Sequence, residues 1–444
     1  MSDLDSYRIS AGLARTASGK PQRFSPPPPY KETKLLLPEG FSMDGTRPRL
    51  ATLIVLGCLM IPGSLASQLV PEGPAVRADT RAGAFPNCPQ LAVGPDRSFE
   101  IVWDVDVVGS GDLGIVGRHF SSAGEPTGPE QVQITSTGAP PPFQEVTRIA
   151  PLPDGFQVFV SHYYFTSPIP PAEIRQRLDG TGSPVGPPEL VTVGYPAGPI
   201  LLGPDGLLYA SYFQAGPKKL FIQPVSSGGT ALDKRILLNS RSTDQPDPRI
   251  APLGGGDLVA AWTGLTTGKR QRQVIRARVV QDGVPVGQDF DVNTSPGGTK
   301  GSPPYLESFL VVSDPSAHRF AVVWTVRDRL YNRSIHWRLF DSPGIPRTPE
   351  LIAVPGTPSV LLADAALDDA GNLLLLWTSV AGGTLQARLF ALDGAPRGPA
   401  LQIVANPSRG ACGSVAWAGD SWLISYLDTG DSSQGMIVWR RFTE

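Results

Sequence analysis

Between Asp247 and Ser295 the chain alternates apolar runs with turns. Pro248-Arg249-Ile250-Ala251-Pro252-Leu253 meets the Gly-rich turn Gly254-Gly255-Gly256 and is followed by Leu258-Val259-Ala260-Ala261-Trp262. A basic loop, Gly268-Lys269-Arg270-Gln271-Arg272, leads to Val274-Ile275-Arg276-Ala277-Arg278-Val279-Val280. The turn Asp282-Gly283-Val284-Pro285-Val286-Gly287 then opens Phe290-Asp291-Val292-Asn293. Apolar runs of this length, bounded by Gly, Pro and Asp, predict four short strands in one antiparallel unit.

The unit recurs. The last bulky positions of the second strands are Trp103, Ser161, Tyr212, Trp262, Trp324, Trp377 and Tyr426, spaced 58, 51, 50, 62, 53 and 49 residues apart. A period near fifty is that of a propeller blade. The second strands are apolar at every step, as in Phe320-Ala321-Val322-Val323-Trp324 and Leu373-Leu374-Leu375-Leu376-Trp377. A strand covered on both faces reads this way, and a blade packed between two neighbours covers both. The turn before that strand repeats as Pro153-Asp154-Gly155, Pro204-Asp205-Gly206 and Asp369-Ala370-Gly371, where Gly relieves a tight hairpin.

Third strands carry an aliphatic residue and, three positions on, an arginine: Ile115 and Arg118, Ile174 and Arg177, Ile275 and Arg278, Ile335 and Arg338, Leu385 and Arg388, Ile437 and Arg440. A row of arginines suggests an anion surface. Repetition in nearly every unit favours a structural device instead, a guanidinium satisfying carbonyls at the blade edge. A Gly-x-Pro hairpin follows in most units, as in Gly283-Val284-Pro285 and Gly394-Ala395-Pro396. The last unit stops after its third strand, and Pro74–Thr80 resembles Asp289–Thr294. The expected fold is therefore all-β: a seven-bladed β-propeller of four-stranded antiparallel blades, its ring closed by the N-terminal strand.

With these motifs in view, the chain from Pro74 to Phe442 resembles secreted bacterial repeat proteins. Their units read Pro-x-φ-Ala-x-x-Pro-Asp-Gly-x-φ-φ-φ-φ-Trp, then φ-x-x-Arg-φ-φ and Asp-x-x-Gly-x-Pro-x-Gly. That resemblance implies a β-propeller and little about activity. No Trp-Asp dipeptide recurs in the repeats, no Ser-x-Asp-x-Gly-x-Thr-Trp sialidase box is present, and no Asp-x-Asp-x-Asn-Gly calcium loop occurs.

Composition adds an address. Gly (49) and Pro (47) are abundant among 444 residues and fall in turns between apolar runs, so they mark many short strands. Residues 1–42, with Ser25-Pro26-Pro27-Pro28-Pro29, lack apolar periodicity and read as a disordered tail or an over-extended start. Residues 43–66 read as a signal peptide: Arg47 and Arg49, an apolar core, a breaker at Pro62, and small residues at Ser64 and Ala66. Residues 67–444 form the propeller. The alternatives are an uncleaved anchor, or a lipobox at Val55-Leu56-Gly57-Cys58 with a lipid on Cys58. A net charge of −2 gives no support for a nucleic-acid partner. The mature protein is expected outside the cytoplasm, as a monomer without a membrane span.

Loss of Cys58 with the leader would leave Cys88 and Cys412. Cys88-Pro89-Gln90-Leu91-Ala92 and Cys412-Gly413-Ser414-Val415-Ala416 align with Asp247-Pro248-Arg249-Ile250-Ala251, so both cysteines stand at the start of an innermost strand. Ring closure makes those two blades neighbours, and a Cys88–Cys412 disulfide is expected; two separate buried thiols are the alternative.

Residues peculiar to one blade are the functional candidates. Blade 2 ends its second strand with His162, Tyr163, Tyr164 and Phe165, aromatics suited to a sugar or peptide or to capping the blade. Asp104, Asp106 and Asp112, with Asp428 and Asp431, place carboxylates on adjoining loops of blades 1 and 7. They are candidate calcium ligands or solvated turns. Blades 3 to 5 are basic on the same face through Lys218, Lys219, Lys269, Arg270, Arg272, Arg327 and Arg329. His119, His162, His318 and His336 fall at unlike positions and show no metal-ligand spacing. No cofactor is expected beyond that calcium. The leading expectation is a secreted or cell-envelope binding module for an extracellular glycan or protein. The alternative is a secreted carbohydrate-active enzyme, hydrolase or lyase, using top-face carboxylates.

Overall fold

Strand follows strand along the whole described chain. The computed structural model describes residues 68–444 apart from 81–83, 108–112, 136–142, 164–171, 192–200, 203–207, 215–218, 226–231, 233–234, 242–247, 267–270, 296, 299–303, 315, 317, 380–382, 405–411 and 431–434. The expected tail, leader and Cys58 anchor lie outside the described residues.

After β1 (Val70–Arg77), blade 1 holds β2 (Ala84–Pro86), β3 (Gln90–Val93), β4 (Phe99–Val107), β5 (Leu113–Phe120) and β6 (Gln131–Thr135). Blade 2 holds β7 (Phe143–Leu152), β8 (Gly155–Tyr163), β9 (Ala172–Asp179) and β10 (Pro184–Val191). Blade 3 holds β11 (Leu201–Leu202), β12 (Leu208–Gln214), β13 (Lys219–Val225) and β14 (Ile236–Leu237). Blade 4 holds β15 (Arg249–Pro252), β16 (Leu258–Leu265), β17 (Gln273–Gln281) and β18 (Val284–Asp291). Blade 5 holds β19 (Tyr305–Asp314), β20 (Arg319–Arg327), β21 (Arg333–Asp341), β22 (Ile345–Pro346) and β23 (Leu351–Thr357). Blade 6 holds β24 (Val360–Leu367), β25 (Leu373–Ser379), β26 (Thr384–Phe390) and β27 (Leu401–Val404), and blade 7 holds β28 (Gly413–Trp417), β29 (Trp422–Asp428) and β30 (Met436–Thr443).

Seven antiparallel sheets result, each a meander from an inner to an outer strand. Blade 1 splits its inner edge into β2 and β3, and blade 5 splits its outer edge into β22 and β23. The second strands bury both faces, and Trp262, Trp324 and Trp422 are wholly enclosed. Their apolar side chains form clusters that each span two adjacent blades, at the joints 1–2, 3–4, 4–5, 5–6, 6–7 and 7–1.

The ring closes as the repeat requires. β1 pairs antiparallel with β30 as the outer strand of blade 7, with Val70 opposite Thr443 and Arg77 opposite Val438. The strand lies slightly upstream of the expected 74–80 segment, because residues 78–80 form its exit turn. Pro71-Glu72-Gly73 there occupies the place of Pro285-Val286-Gly287, and both glycines take a positive φ at a bulge, 70° and 60°. Cys88, between β2 and β3, and Cys412, just before β28, are joined by a disulfide with 5.3 Å between Cα atoms.

Five of the six arginines in the row are ties, whereas Arg177 pairs with the exposed Asp154 of its own blade. Arg118, Arg388 and Arg440 donate through Nε to the carbonyls of Gly128, Gly398 and Gly73, and Arg278 donates to Gly287. Arg118, Arg278 and Arg338 also reach back to the preceding blade, at the carbonyls of Ala78, Leu238 and Val292. Four of these guanidiniums lie over the Phe two residues on, at Phe120, Phe340, Phe390 and Phe442. An Asx residue after the outer strand provides a second tie. Asp79, Asn239 and Asn293 accept the N–H of Ile437, Leu220 and Ile275 at 2.7–2.8 Å.

Candidate functional site

In an antiparallel blade the loops from second to third strand, and from fourth strand to the next first strand, share one end. That end is the top face here. Once the repeated ties are set aside, two places carry chemistry that does not recur.

The first is the turn Asp328–Asn332 of blade 5. The Asp328 carboxylate accepts the N–H groups of Leu330 and Asn332 at 2.7 and 2.9 Å and the Asn332 amide at 2.9 Å. These donors hold its carboxyl below the usual range, the Asn332 amide foremost. The turn so fixed leaves Leu330 and Tyr331 78% and 68% exposed. Arg327 lies between the rings of Tyr305 and Tyr331, 5.0 and 5.3 Å from their centroids. Glu307 accepts ion pairs from both Arg327 (2.9 Å) and Arg333 (2.6 Å). With Arg329 in the turn, three arginines stand against two carboxylates, Glu307 and Asp328, so the patch keeps a net positive charge.

The second place is the axis. In the first strands, the residue before the buried φ-Ala pair is Gln90, Arg148, Arg249, Asp364 or Ser414 in blades 1, 2, 4, 6 and 7. Four of them are partly buried, and Ser414 is buried. The Asp364 carboxylate accepts the N–H of Ala365 at 2.8 Å, the N–H of Val415 at 2.9 Å and the hydroxyl of Ser414 at 2.9 Å. Ser414 Oγ in turn accepts the N–H of Leu91 at 3.3 Å. This chain crosses three blades at the seam, beside the disulfide. Burial pushes Asp364 up to about 6 against the pull of those donors and of Arg148. Burial likewise lowers Arg148 to about 10, and Asp364 opposes that shift.

A buried pair between blades 1 and 2 completes the search for titratable groups. His119 Nδ1 lies 3.3 Å from Glu100 Oε2. Burial raises Glu100 well above its ordinary range and lowers His119, and both side chains belong to the interior. On the bottom face, a shallow recess of about 660 Å³ lies beside Arg347 and Arg397. Arg347 is already paired with Asp341 and Arg397 with Glu444.

Of the residues singled out in the sequence, Arg327 and Arg329 fall at the blade 5 turn. Asp104, partly buried on β4, and Asp428, partly buried at the end of β29, are on the adjoining blades 1 and 7. Tyr164, Phe165, Asp112, Asp431, Lys218, Lys269 and Arg270 lie outside the described residues, as do the side chains of His162, Tyr163 and Asp106. Among the described residues no group of three or more His, Cys, Asp or Glu could hold a metal ion. His336 proves structural, since its Nδ1 lies 3.1 Å from Glu350 in a tie between blades 4 and 5.

Sequence reasoning missed Arg148, Asp364 and Glu307. A signal for the first two was present, because they occupy the place of Gln90, Arg249 and Ser414 in the aligned inner strands. Glu307 had none, since its role depends on Arg327 and Arg333 coming from two other strands.

No match was found among protein-family models or among curated proteins. Solved structures of similar shape include a polysaccharide lyase, Uly1 (8% identity, 80% of this chain and 89% of that one, TM-score 0.48). A Hadza microbial sialidase, Hz136, matches at 12% identity over 80% of this chain with a TM-score of 0.40, and the chain spans 65% of its length. A protein of unknown function from Dyadobacter fermentans matches at 11% identity (85% of this chain, 99% of that one, TM-score 0.41). Identities this low bear on fold alone.

Proposed function

We propose that the chain is an exported binding module that engages an acidic protein segment through the top face of blade 5. The observation that carries this reading is the Asp328-braced turn, which holds Leu330 and Tyr331 in solvent beside an arginine cluster. Exposing a Leu and a Tyr side by side is unfavourable in water, and a fixed turn spares a partner the cost of ordering them. Tyr and Arg are the residues that most often anchor interfaces. The excess of guanidinium over carboxylate selects an acidic partner, and Leu330 favours a peptide over a sugar. Export accords with the disulfide, which persists in oxidising compartments. Among the described residues no helix is long and apolar enough to cross a membrane.

A displayed peptide library selected on the intact protein, with a Leu330→Ala/Tyr331→Ala variant as counter-selection, tests the reading. Acidic sequences bearing an apolar residue should be enriched, and their affinity should fall about tenfold or more in the variant. Enrichment of basic sequences, or none over the variant, would overturn it. A second reading, a carbohydrate-active enzyme, draws on Asp364, a carboxyl with a raised pKa suited to general-acid work. Release of reducing ends from a polysaccharide panel, abolished by Asp364→Asn, would favour it.

A further inference from the structure

The hairpins between third and fourth strands lie on the bottom face, and the residue between their Gly and Pro forms the tip. In blades 1 and 2 the tip is polar, Glu125 and Ser183. In blades 4, 5 and 6 it is Val284, Ile345 and Ala395. Val70, one residue before Pro71, holds the same place in blade 7. Val284, Ile345 and Val70 are 55%, 61% and 51% exposed, and Ala395 is exposed as well. Four consecutive blades therefore present an aliphatic tip to water. A single exposed aliphatic is ordinary, but a run of them on one face marks a surface that another molecule covers.

The recess of about 660 Å³ lies within this arc, between the hairpins of blades 5 and 6. Pro346, Ala391 and Leu392 give it an apolar lining. Each wall carries one acid and one arginine: Asp341 and Arg347 from blade 5, Asp393 and Arg397 from blade 6. The arginine follows the hairpin Pro in these two blades, where blades 1, 2 and 4 have Thr127, Val185 and Val286. Arg347 gives Nη1 to Asp341 at 3.1 Å, and its other side-chain donors have no partner among the described residues. Asp393 Oδ1 accepts the N–H of Ala395 at 2.9 Å, and its Oδ2 has no partner among the described residues. An open guanidinium edge on one wall is thus matched by an open carboxylate oxygen on the other.

A surface that pairs with a copy of itself carries both members of each contact, because a two-fold axis sets residue i against j and j against i. Walls that each hold one acid and one arginine, among aliphatic tips, meet that requirement. A partner of a single charge sign would find half of these groups opposed to it. We propose that the protein forms a two-fold dimer through the bottom faces of blades 4 to 7, in place of the monomer expected from the sequence. The aliphatic tips form the apolar centre of the interface, and Arg347 of each copy gives its open donors to the partner's Asp393. Pairing through the bottom leaves both top faces, and both blade 5 turns, in solvent. The dimer does not depend on the blade 5 reading.

Sedimentation equilibrium of the intact protein over about 1–100 µM brackets an expected dimer Kd of roughly 10 µM. Ile345→Glu, Arg347→Asp and Asp393→Arg should each weaken the dimer about tenfold or more, the last two by setting like charges opposite each other. Mixing Arg347→Asp with Asp393→Arg should restore dimers, since each acid then meets an arginine across the interface. Thermal unfolding of each variant serves as the control for folding. A wild type that stays monomeric at about 100 µM would overturn the inference. So would an unaltered dimer in folded Ile345→Glu, or a mixture of the two charge variants no more dimeric than either alone. Leu330→Ala/Tyr331→Ala, on the top face, should dimerise as the wild type does, so that failure here and failure of the blade 5 reading are told apart.

Discussion

Glu350 offers the most direct test of the inter-blade ties. Its carboxylate accepts the N–H of Thr294 at 2.7 Å, and the Thr294 hydroxyl and the Ser295 N–H at 2.8 Å each; the His336 ring lies at 3.1 Å. Thr294 and Ser295 follow the outer strand of blade 4, so one side chain of blade 5 fastens the two blades together. Burial would raise the Glu350 carboxyl, but the His336 ring and the donors of Ser295 and Thr294 outweigh it and hold it at about 2, below an ordinary 4.5. Unfolding releases that preference. A carboxyl whose folded pKa is depressed contributes stability above its unfolded pKa and loses it as pH falls through the folded one. At about 1.4 kcal/mol per unit, the drop amounts to roughly 3 kcal/mol at pH 7, an upper figure. Glu350→Gln keeps the shape and removes the charge. Urea unfolding of both proteins between pH 7 and pH 2.5 should show the variant weaker by about 1–3 kcal/mol at neutral pH. That gap should narrow steadily below pH 4.5. A gap that stays constant across the range would show that the charge contributes nothing and would refute the argument.

Asp364 acts with the opposite sign. Its folded pKa of about 6 exceeds the unfolded value, so the stability it contributes is complete below about 4 and is lost as pH rises through 6. The wild type should therefore weaken relative to Asp364→Asn between pH 4 and pH 7; parallel profiles would contradict the burial argument. For the disulfide, peptide mapping after thiol labelling of denatured, unreduced protein should find Cys88 and Cys412 unlabelled. Replacing both by serine should lower stability by up to roughly 6 kcal/mol, since the bond spans 324 residues. Full labelling before reduction would remove the bond from the account.

What could be read from the sequence follows from what repeats. Seven second strands, each apolar on both faces, leave a blade stacked between blades as the arrangement that covers them. The arginine three residues after the third-strand aliphatic was interpretable because it returned in six units. A binding residue does not return in every unit, and its partner returns in none. Seam and disulfide were legible for the same reason: each depends on one copy of a repeated motif being displaced to the other end of the chain.

The two candidate sites were hidden by different physics. The blade 5 turn joins residues from β19, β20 and β21, and the sequence supplied only its arginines. Its carboxylate, Glu307, stands on an inner strand at a bulge between Leu306 and Ser308. An extra residue there breaks the two-residue alternation by which facing residues are inferred. The axial pair is subtler. Arg148 and Asp364 are 216 positions apart in non-adjacent blades, and only the closed ring sets both on innermost strands around one axis. The repeat that builds the ring also sets which step of each inner strand meets that axis. Variation at this one step changes the chemistry around the axis, and at Asp364 and Ser414 it also sets the hydrogen bonds that join blades 6, 7 and 1. Gln, Arg, Asp and Ser replace one another there within a single chain, so the step serves blade-to-blade ties in some units and is released from them in others.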